Sequence, residues 1–397
     1  MIYLDWAATT PIREEVLEAM VAFEREAWAN PSSTHAPGRR ARARLEAARR
    51  AVHDWLGLPG GRLVFTSGGT EADNLAVFGL AAAAEARGAP RRAVTSAVEH
   101  RAVLDAFLRL ERRGWEVEFL GPDARGVVPP EAVEAALERP AAFLSLMWAN
   151  NETGAIQPVA EAARLAHARG LPVHADAVQA APLLRLGPGA EGHDSRHTGE
   201  GPDLVAVSAH KLGGPKGVGA LWLRDGLEVE PLLAGGGQEW ELRPGTENAA
   251  GIVGFGRAAE LAAREAPGEW ERLRRLGERF LAELRARWPG VLLNGPEEAA
   301  PRPGARLPSI VNLAFPGLRA ESLLIRLDLA GVAASAGAAC SAGSLEPSHV
   351  VAAMGRAELA ASSLRFSFGR LSREEEVVRA AEIVAREAEA LAAGGRR

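Results

Sequence analysis

One cysteine, Cys340, is all the thiol the chain contains. An internal disulfide is therefore excluded, and so are structural zinc sites built on several cysteines. Lysine is nearly as scarce. Among 46 basic residues only Lys211 and Lys216 are lysines, so chemistry that needs a side-chain amine has two candidates. The arginine excess itself reflects genomic base composition. No uncharged apolar run approaches the roughly 18 residues of a membrane span. Met1 leads straight into Ile2-Tyr3-Leu4-Asp5, without the basic segment and apolar stretch of a secretory leader. A formal charge of −5 offers no global electrostatic footprint for nucleic acid. These absences predict a cytoplasmic protein with neither a membrane nor a nucleic acid as direct partner.

What is present is ample apolar material: 47% of 397 residues, enough for a large core and more than one domain. Strand and helix patterns alternate, which predicts an α/β fold with a mainly parallel sheet. The strand candidates are Leu63–Thr66, Ala93–Ser96, Ala142–Met147, Leu171–His174, Leu204–Ser208 and Gly219–Leu223, with a helix over Glu71–Ala86. Past about residue 255 the texture changes. A helical stretch over Arg257–Arg287, an apolar run at Ser309–Phe315, a helix over Ser322–Leu329 and a strand at Leu364–Phe368 suggest a smaller α+β unit. The expected division is a large domain over 12–255 and a small one made of 1–11 and 256–397. The stretch Leu186–Pro202 reads as an exposed loop. Its His193, Asp194 and His197 lack the further ligand a metal site needs, so no metal is expected.

Three motifs carry chemistry. In Phe65-Thr66-Ser67-Gly68-Gly69-Thr70-Glu71 a strand ends, two glycines turn the chain and a helix begins. Free N–H groups there suit an anion such as phosphate, or the segment is a plain strand–helix turn capped by Thr70. In Val173-His174-Ala175-Asp176-Ala177-Val178-Gln179 an acid follows a buried strand. It either pairs with a pyridinium nitrogen or caps a helix. In Ser208-Ala209-His210-Lys211-Leu212-Gly213-Gly214-Pro215-Lys216-Gly217 a lysine follows an apolar strand, placed to form a Schiff base, with Ser208 and His210 as phosphate ligands beside it. Lys216, inside the Gly/Pro loop, reads as a surface charge. A phosphate cradle, an acid for a ring nitrogen and a Schiff-base lysine are together what a pyridoxal-phosphate (PLP) site requires.

Over nearly its whole length the chain resembles the cysteine desulfurases of the class V aminotransferase superfamily, fold-type I PLP enzymes. The matching segments include Tyr3–Pro11, Asn30-Pro31-Ser32-Ser33, Thr66–Asn74, Glu99-His100, Asn150–Gly154, His174–Gln179, Ser208–Gly217, Gly235–Glu239, Arg243–Asn248 and the stretch around Cys340. The resemblance implies a large domain with a mainly parallel seven-stranded sheet, a smaller α+β domain carrying Cys340, and PLP as cofactor. It implies that Lys211 forms the Schiff base and Asp176 pairs with the ring nitrogen. Asn151 and Gln179 serve the side bearing the phenolic oxygen, and His100 stacks on the ring and moves protons. Gly69, Thr70, Ser208 and His210 hold the phosphate, joined by Thr246 from the other subunit of a homodimer. Arg365, with Asn30, binds the substrate carboxylate, and Cys340, on a long mobile loop over Ser335–Ser344, takes sulfur as a persulfide. The implied reaction converts L-cysteine to L-alanine and passes the sulfur to an acceptor protein, an iron–sulfur scaffold or a thiolation enzyme. A selenocysteine lyase or a small-substrate aminotransferase on the same fold is the alternative. Trp6 departs from the family pattern, which has asparagine there.

Overall fold

The apolar runs of the sequence become one large sheet in the computed structural model, which describes residues 1–187, 201–337 and 347–394. After a short strand β1 (Ile2–Tyr3) the chain lays down β2 (Arg62–Thr66), β3 (Arg92–Ser96), β4 (Glu116–Leu120), β5 (Phe143–Ser145), β6 (Val173–Asp176), β7 (Leu204–Ser208) and β8 (Gly219–Leu223). Their spatial order is β2-β8-β7-β6-β5-β3-β4. From β7 to β4 every pairing is parallel, while β8 runs antiparallel to β7 and β2. Parallel neighbours need crossover connections, and these cover both faces of the sheet with helices. The strands show it residue by residue. Val64, Leu204 and Ala206 join Leu75 and Phe107 in one core, and the alternating Phe65, Val205 and Val207 join Val52 and Phe255 in another. Edge strand β4 was not among the strands expected. Glu116 is exposed and Val117 to Phe119 are half-buried, so the continuous apolar run that marks the central strands is missing there.

A second, antiparallel sheet is built from β9 (Leu292–Asn294), β10 (Ile310–Ala314) and, after β11 (Val332–Ala333), β12 (Ser363–Ser367), in the order β12-β10-β9. Its core centres on Phe280, whose ring lies 4.9 Å from that of Phe366 and 5.5 Å from that of Phe368. The helix Ala249–Arg287 serves both cores. Ile252, Phe255 and Leu261 pack under the large sheet, and Leu273, Phe280 and Leu284 pack in the second core. Between them Pro267 and Gly268 interrupt the helical backbone, with φ +93° at Gly268, as a proline inside a helix dictates. The expected division near residue 255 falls inside this helix.

The N-terminal segment links the two units. β1 pairs with β11, and Asp5 bridges to Ser367 of β12. The chain then crosses to the large sheet, where Thr10 donates to the His210 carbonyl from both its N–H, 3.1 Å, and its hydroxyl, 2.7 Å.

Candidate active site

The carboxyl ends of parallel strands are where α/β sheets bind ligands. Here β2, β3, β5, β6 and β7 end in Thr66, Ser96, Ser145, Asp176 and Ser208. A cavity of about 150 Å³ opens at this edge, lined by Gly69, Thr70, Asp73, His100, Asn151, Asp176, Gln179, Ser208, His210, Lys211 and Arg365 together with Ala7, Ala8, Met147, Ala149 and Val178. Ten of the thirteen site residues expected from the sequence therefore meet in one place.

Each arrives there for a local reason. Gly69 starts the helix Gly69–Ala86 directly against Val178; a Cβ at this position would lie 2.8 Å from Val178 Cγ2. Glu71 steadies the turn, accepting from the Ser67 N–H at 2.7 Å and pairing with Arg243 at 2.9 Å. His100 caps the helix Arg101–Arg112: its Nδ1 accepts from the Ala102 N–H at 3.1 Å. Burial, then the charge of Lys211, pushes the His100 pKa down to about 4. The ring is thus neutral at pH 7, and with Nδ1 occupied as an acceptor its proton sits on Nε2. His100 in this arrangement is a donor. Asn150 folds the next turn, its Oδ1 accepting from the N–H groups of Glu152 and Thr153 at 2.9 and 2.8 Å. That turn leaves the Asn151 side chain at the cavity, with its Oδ1 buried and unpartnered among the described residues.

Asp176 accepts a hydrogen bond from the Val178 N–H at 2.8 Å. Burial first, and nearby Asp73 second, push its pKa up to about 7. A proton held in the folded chain above the ordinary aspartate value of about 3.9 makes folded stability fall as pH rises from about 4 to about 7, because the unfolded chain has released that proton and the folded one has not. Asp176→Asn in the cofactor-free chain is expected to remove this decline, on the order of a few kcal/mol. Urea midpoints of both proteins at pH 5 and pH 7.5 check it; identical slopes would defeat the assignment.

Lys211 ends a short 3₁₀ turn after β7, and its Nζ donates to the carbonyls of Ala7 and, at 3.0 Å, Ala8. Gln179 Nε2 donates to the same Ala7 carbonyl at 2.8 Å. His210 Nδ1 lies 3.1 Å from Thr9 Oγ1, and its pKa is pushed down to about 4 by burial and then by Lys211. Arg365, on β12, is buried; its guanidinium donates to Asp5 Oδ1 and to the Asn151 carbonyl, both at 2.8 Å.

A family model described as aminotransferase class-V matches residues 2–379. The chain belongs to that family. It is 43% identical to the cysteine desulfurase IscS of Dictyoglomus turgidum, over 95% of this chain and 91% of that one. Among solved structures, a NifS-like protein superposes with a TM-score of 0.86 at 32% identity, covering 98% of this chain and all of the other. SspA in complex with cysteine gives 0.77 at 31%, covering 93% and 99%. The class-V aminotransferases are PLP enzymes, and the fold is the fold-type I arrangement, with its seven-stranded, mostly parallel sheet.

Against this class-V framework two of the expected residues do not line the cavity. Asn30 sits on an exposed turn, where its Oδ1 accepts from the Ser32 N–H at 2.8 Å. Thr246 is exposed in the segment before the helix Ala249–Arg287 and does not line the cavity of its own chain. Cys340 and most of its expected mobile loop lie outside the described residues, as do His193, Asp194 and His197. Among the described residues no cluster of three or more potential metal ligands is present, and no helix is long and apolar enough to cross a membrane. Trp6 does not line the cavity. Its ring packs on Gly369, where a Cβ would come within 2.1 Å of it, and its Nε1 donates to the Tyr3 carbonyl. Sequence reading missed Asp73. Its one signal is its place a single turn after Gly69, on the same helix face.

Proposed function

We propose that the chain is a PLP-dependent cysteine desulfurase that converts L-cysteine to L-alanine and takes the sulfur onto Cys340. The observation that carries this reading is the meeting of Lys211, Asp176 and the Gly69–Thr70 turn in one cavity. The residues fit the cofactor. Asp176 is a buried carboxyl with a backbone donor, Asn151 Oδ1 is buried and unpartnered, and each is suited to a polar group of a bound ligand. Lys211 would hold the cofactor covalently. Asp176 would face its ring nitrogen, Asn151 and Gln179 its phenolic side, His100 its ring face, and Gly69, Thr70, Ser208 and His210 its phosphate. PLP bound there supplies an aldehyde for the substrate amine and a ring that takes up the electron pair of a broken Cα–H bond.

The chain's own groups do the rest. Lys211, seated on the Ala7 and Ala8 carbonyls, receives the Cα proton when released. Arg365 is fixed from one side by Asp5 and the Asn151 carbonyl, and its remaining N–H donors serve the substrate carboxylate, a guanidinium's usual partner. Neutral His100 offers Nε2–H as a proton donor. Cys340, as thiolate, attacks the substrate sulfur; the S–S bond forms as the substrate C–S bond breaks, and its electrons stay on carbon. Asn30 is assigned to the carboxylate and Thr246 to the phosphate of a partner subunit, in a cytoplasmic homodimer with domains 12–255 and 1–11 plus 256–397. The sulfur then passes to an iron–sulfur scaffold or a thiolation enzyme.

The test is product analysis with PLP, L-cysteine and dithiothreitol. Alanine and sulfide in equal amounts are expected. Amino transfer to a 2-oxo acid without sulfide would replace this reading with an aminotransferase, and turnover confined to selenocysteine would replace it with a lyase.

A further inference from the structure

Beneath the cavity lies a polar column that the proposed reaction leaves unused. Successive side chains of a strand alternate faces, so His174 and Asp176 of β6 point to the same side, roughly 7 Å apart along the strand. The helix Gly69–Ala86 covers that side and sets Asp73, one turn after Gly69, against them. Asp73 lines the cavity and is 1% exposed; His174 is fully buried. Asp73 Oδ1 lies 3.4 Å from His174 Nε2. Both atoms are buried without a hydrogen-bond partner among the described residues. On its other side His174 Nδ1 lies 2.9 Å from Ser145 Oγ, its cross-strand neighbour on β5.

Two orphaned polar atoms this close satisfy each other with one proton between them, and a buried polar atom left unpaired is costly. The proton has two possible homes. A charged imidazolium is disfavoured, because burial pushes the His174 pKa down to about 4. An Asp73 carboxylate would stand fully buried beside Asp176 and Glu99, and burial drives the Asp73 pKa well above the ordinary range. Of the positive groups that favour an Asp176 anion, His174 is itself disfavoured as a cation and Lys211 lies on the cavity side. The consistent assignment is Asp73 O–H donating to Nε2, with Nδ1–H donating to Ser145 Oγ.

We propose that Asp73 is a positioning residue, a neutral acid donating to His174, which leaves Asp176 the single anion for the cofactor's ring nitrogen. The second half of this statement rests on the PLP reading above. Asp73 touches no reacting atom; it acts through Asp176 by withholding a second negative charge from the cavity floor, where like charges shift each other strongly.

Isotope-edited infrared spectroscopy of the holoenzyme, with ¹³C-labelled aspartate at neutral pH, tests it. A protonated-carboxyl band is expected that vanishes in Asp73→Asn and persists in Asp176→Asn. Asp73→Asn keeps a donor for His174 without charge, so its PLP dissociation constant is expected to change by less than about tenfold, the equivalent of one pKa unit. Absence of the band, its survival in Asp73→Asn, or a weakening of PLP binding beyond tenfold in that variant overturns the proposal. Should Asp73→Asn fail to fold, His174→Gln takes its place: the band must shift in frequency, and an unshifted band overturns the assignment. If the wild-type chain binds no PLP, the functional reading fails, while the band, measured in Asp176→Asn with and without Asp73→Asn, still decides the state of Asp73.

Discussion

Lys211→Ala is expected to lose turnover by a factor on the order of 10²–10⁴, the range for removal of a positioned acid–base group, and to lose the covalent hold on PLP as well. Lys216→Ala is expected to keep both. The contrast is sharp because the chain has two lysines and they stand in opposite settings. Lys211 lines the cavity with its amine on two backbone carbonyls, while Lys216 is exposed on the loop that follows. Borohydride reduction and peptide mapping provide the measurement. A label found on Lys216, or a Lys211→Ala protein that retains reducible PLP, would remove Lys211 from its role.

Cys340→Ala is expected to separate cofactor chemistry from sulfur transfer. None of the cavity residues is altered, so PLP absorbance and binding of cysteine persist. Sulfide release with dithiothreitol falls by about 10²-fold or more, as for loss of a covalent nucleophile. The lone thiol makes the experiment unambiguous, because no second cysteine in the chain can substitute for it. Wild-type sulfide release by Cys340→Ala would eliminate covalent capture from the mechanism and favour expulsion of the sulfur directly.

The sequence made the centre of the molecule legible and its margins less so. Central strands such as β7, buried on both faces, are continuous apolar runs and declare themselves. Edge strand β4 mixes Glu116 and Glu118 with half-buried apolar residues and does not. The site motifs were readable because Lys211, Asp176 and Gly69 are residue types that chemistry and close packing demand at strand ends. Asp73 was not, since its one mark is a place a single turn after Gly69, and its surroundings emerge only when His174 is packed against it. The seat of Lys211 was equally hidden: it consists of the carbonyls of Ala7 and Ala8, and a backbone oxygen has no signature in side chains. His100 illustrates a further limit. The family resemblance implies a place for it at the ring, but its tautomer follows from a cap on Ala102 that depends on where the helix begins.

The N-terminal arm carries a consequence for how the enzyme comes into being. Asp5 meets Arg365, and the Ala7 N–H meets Ser367 Oγ, each across a separation of 360 residues. During synthesis this arm leaves the ribosome long before its partners on β12. The large sheet has its strands in hand long before, and domains generally fold as units during translation. Contacts of such long sequence separation form late, because the loop they close must be ordered first. The arm whose Ala7 and Ala8 carbonyls seat Lys211 therefore gains its large-sheet contact, Thr10 on the His210 carbonyl, well before its anchors on β12, and a nascent chain holds that seat from one end until β12 arrives.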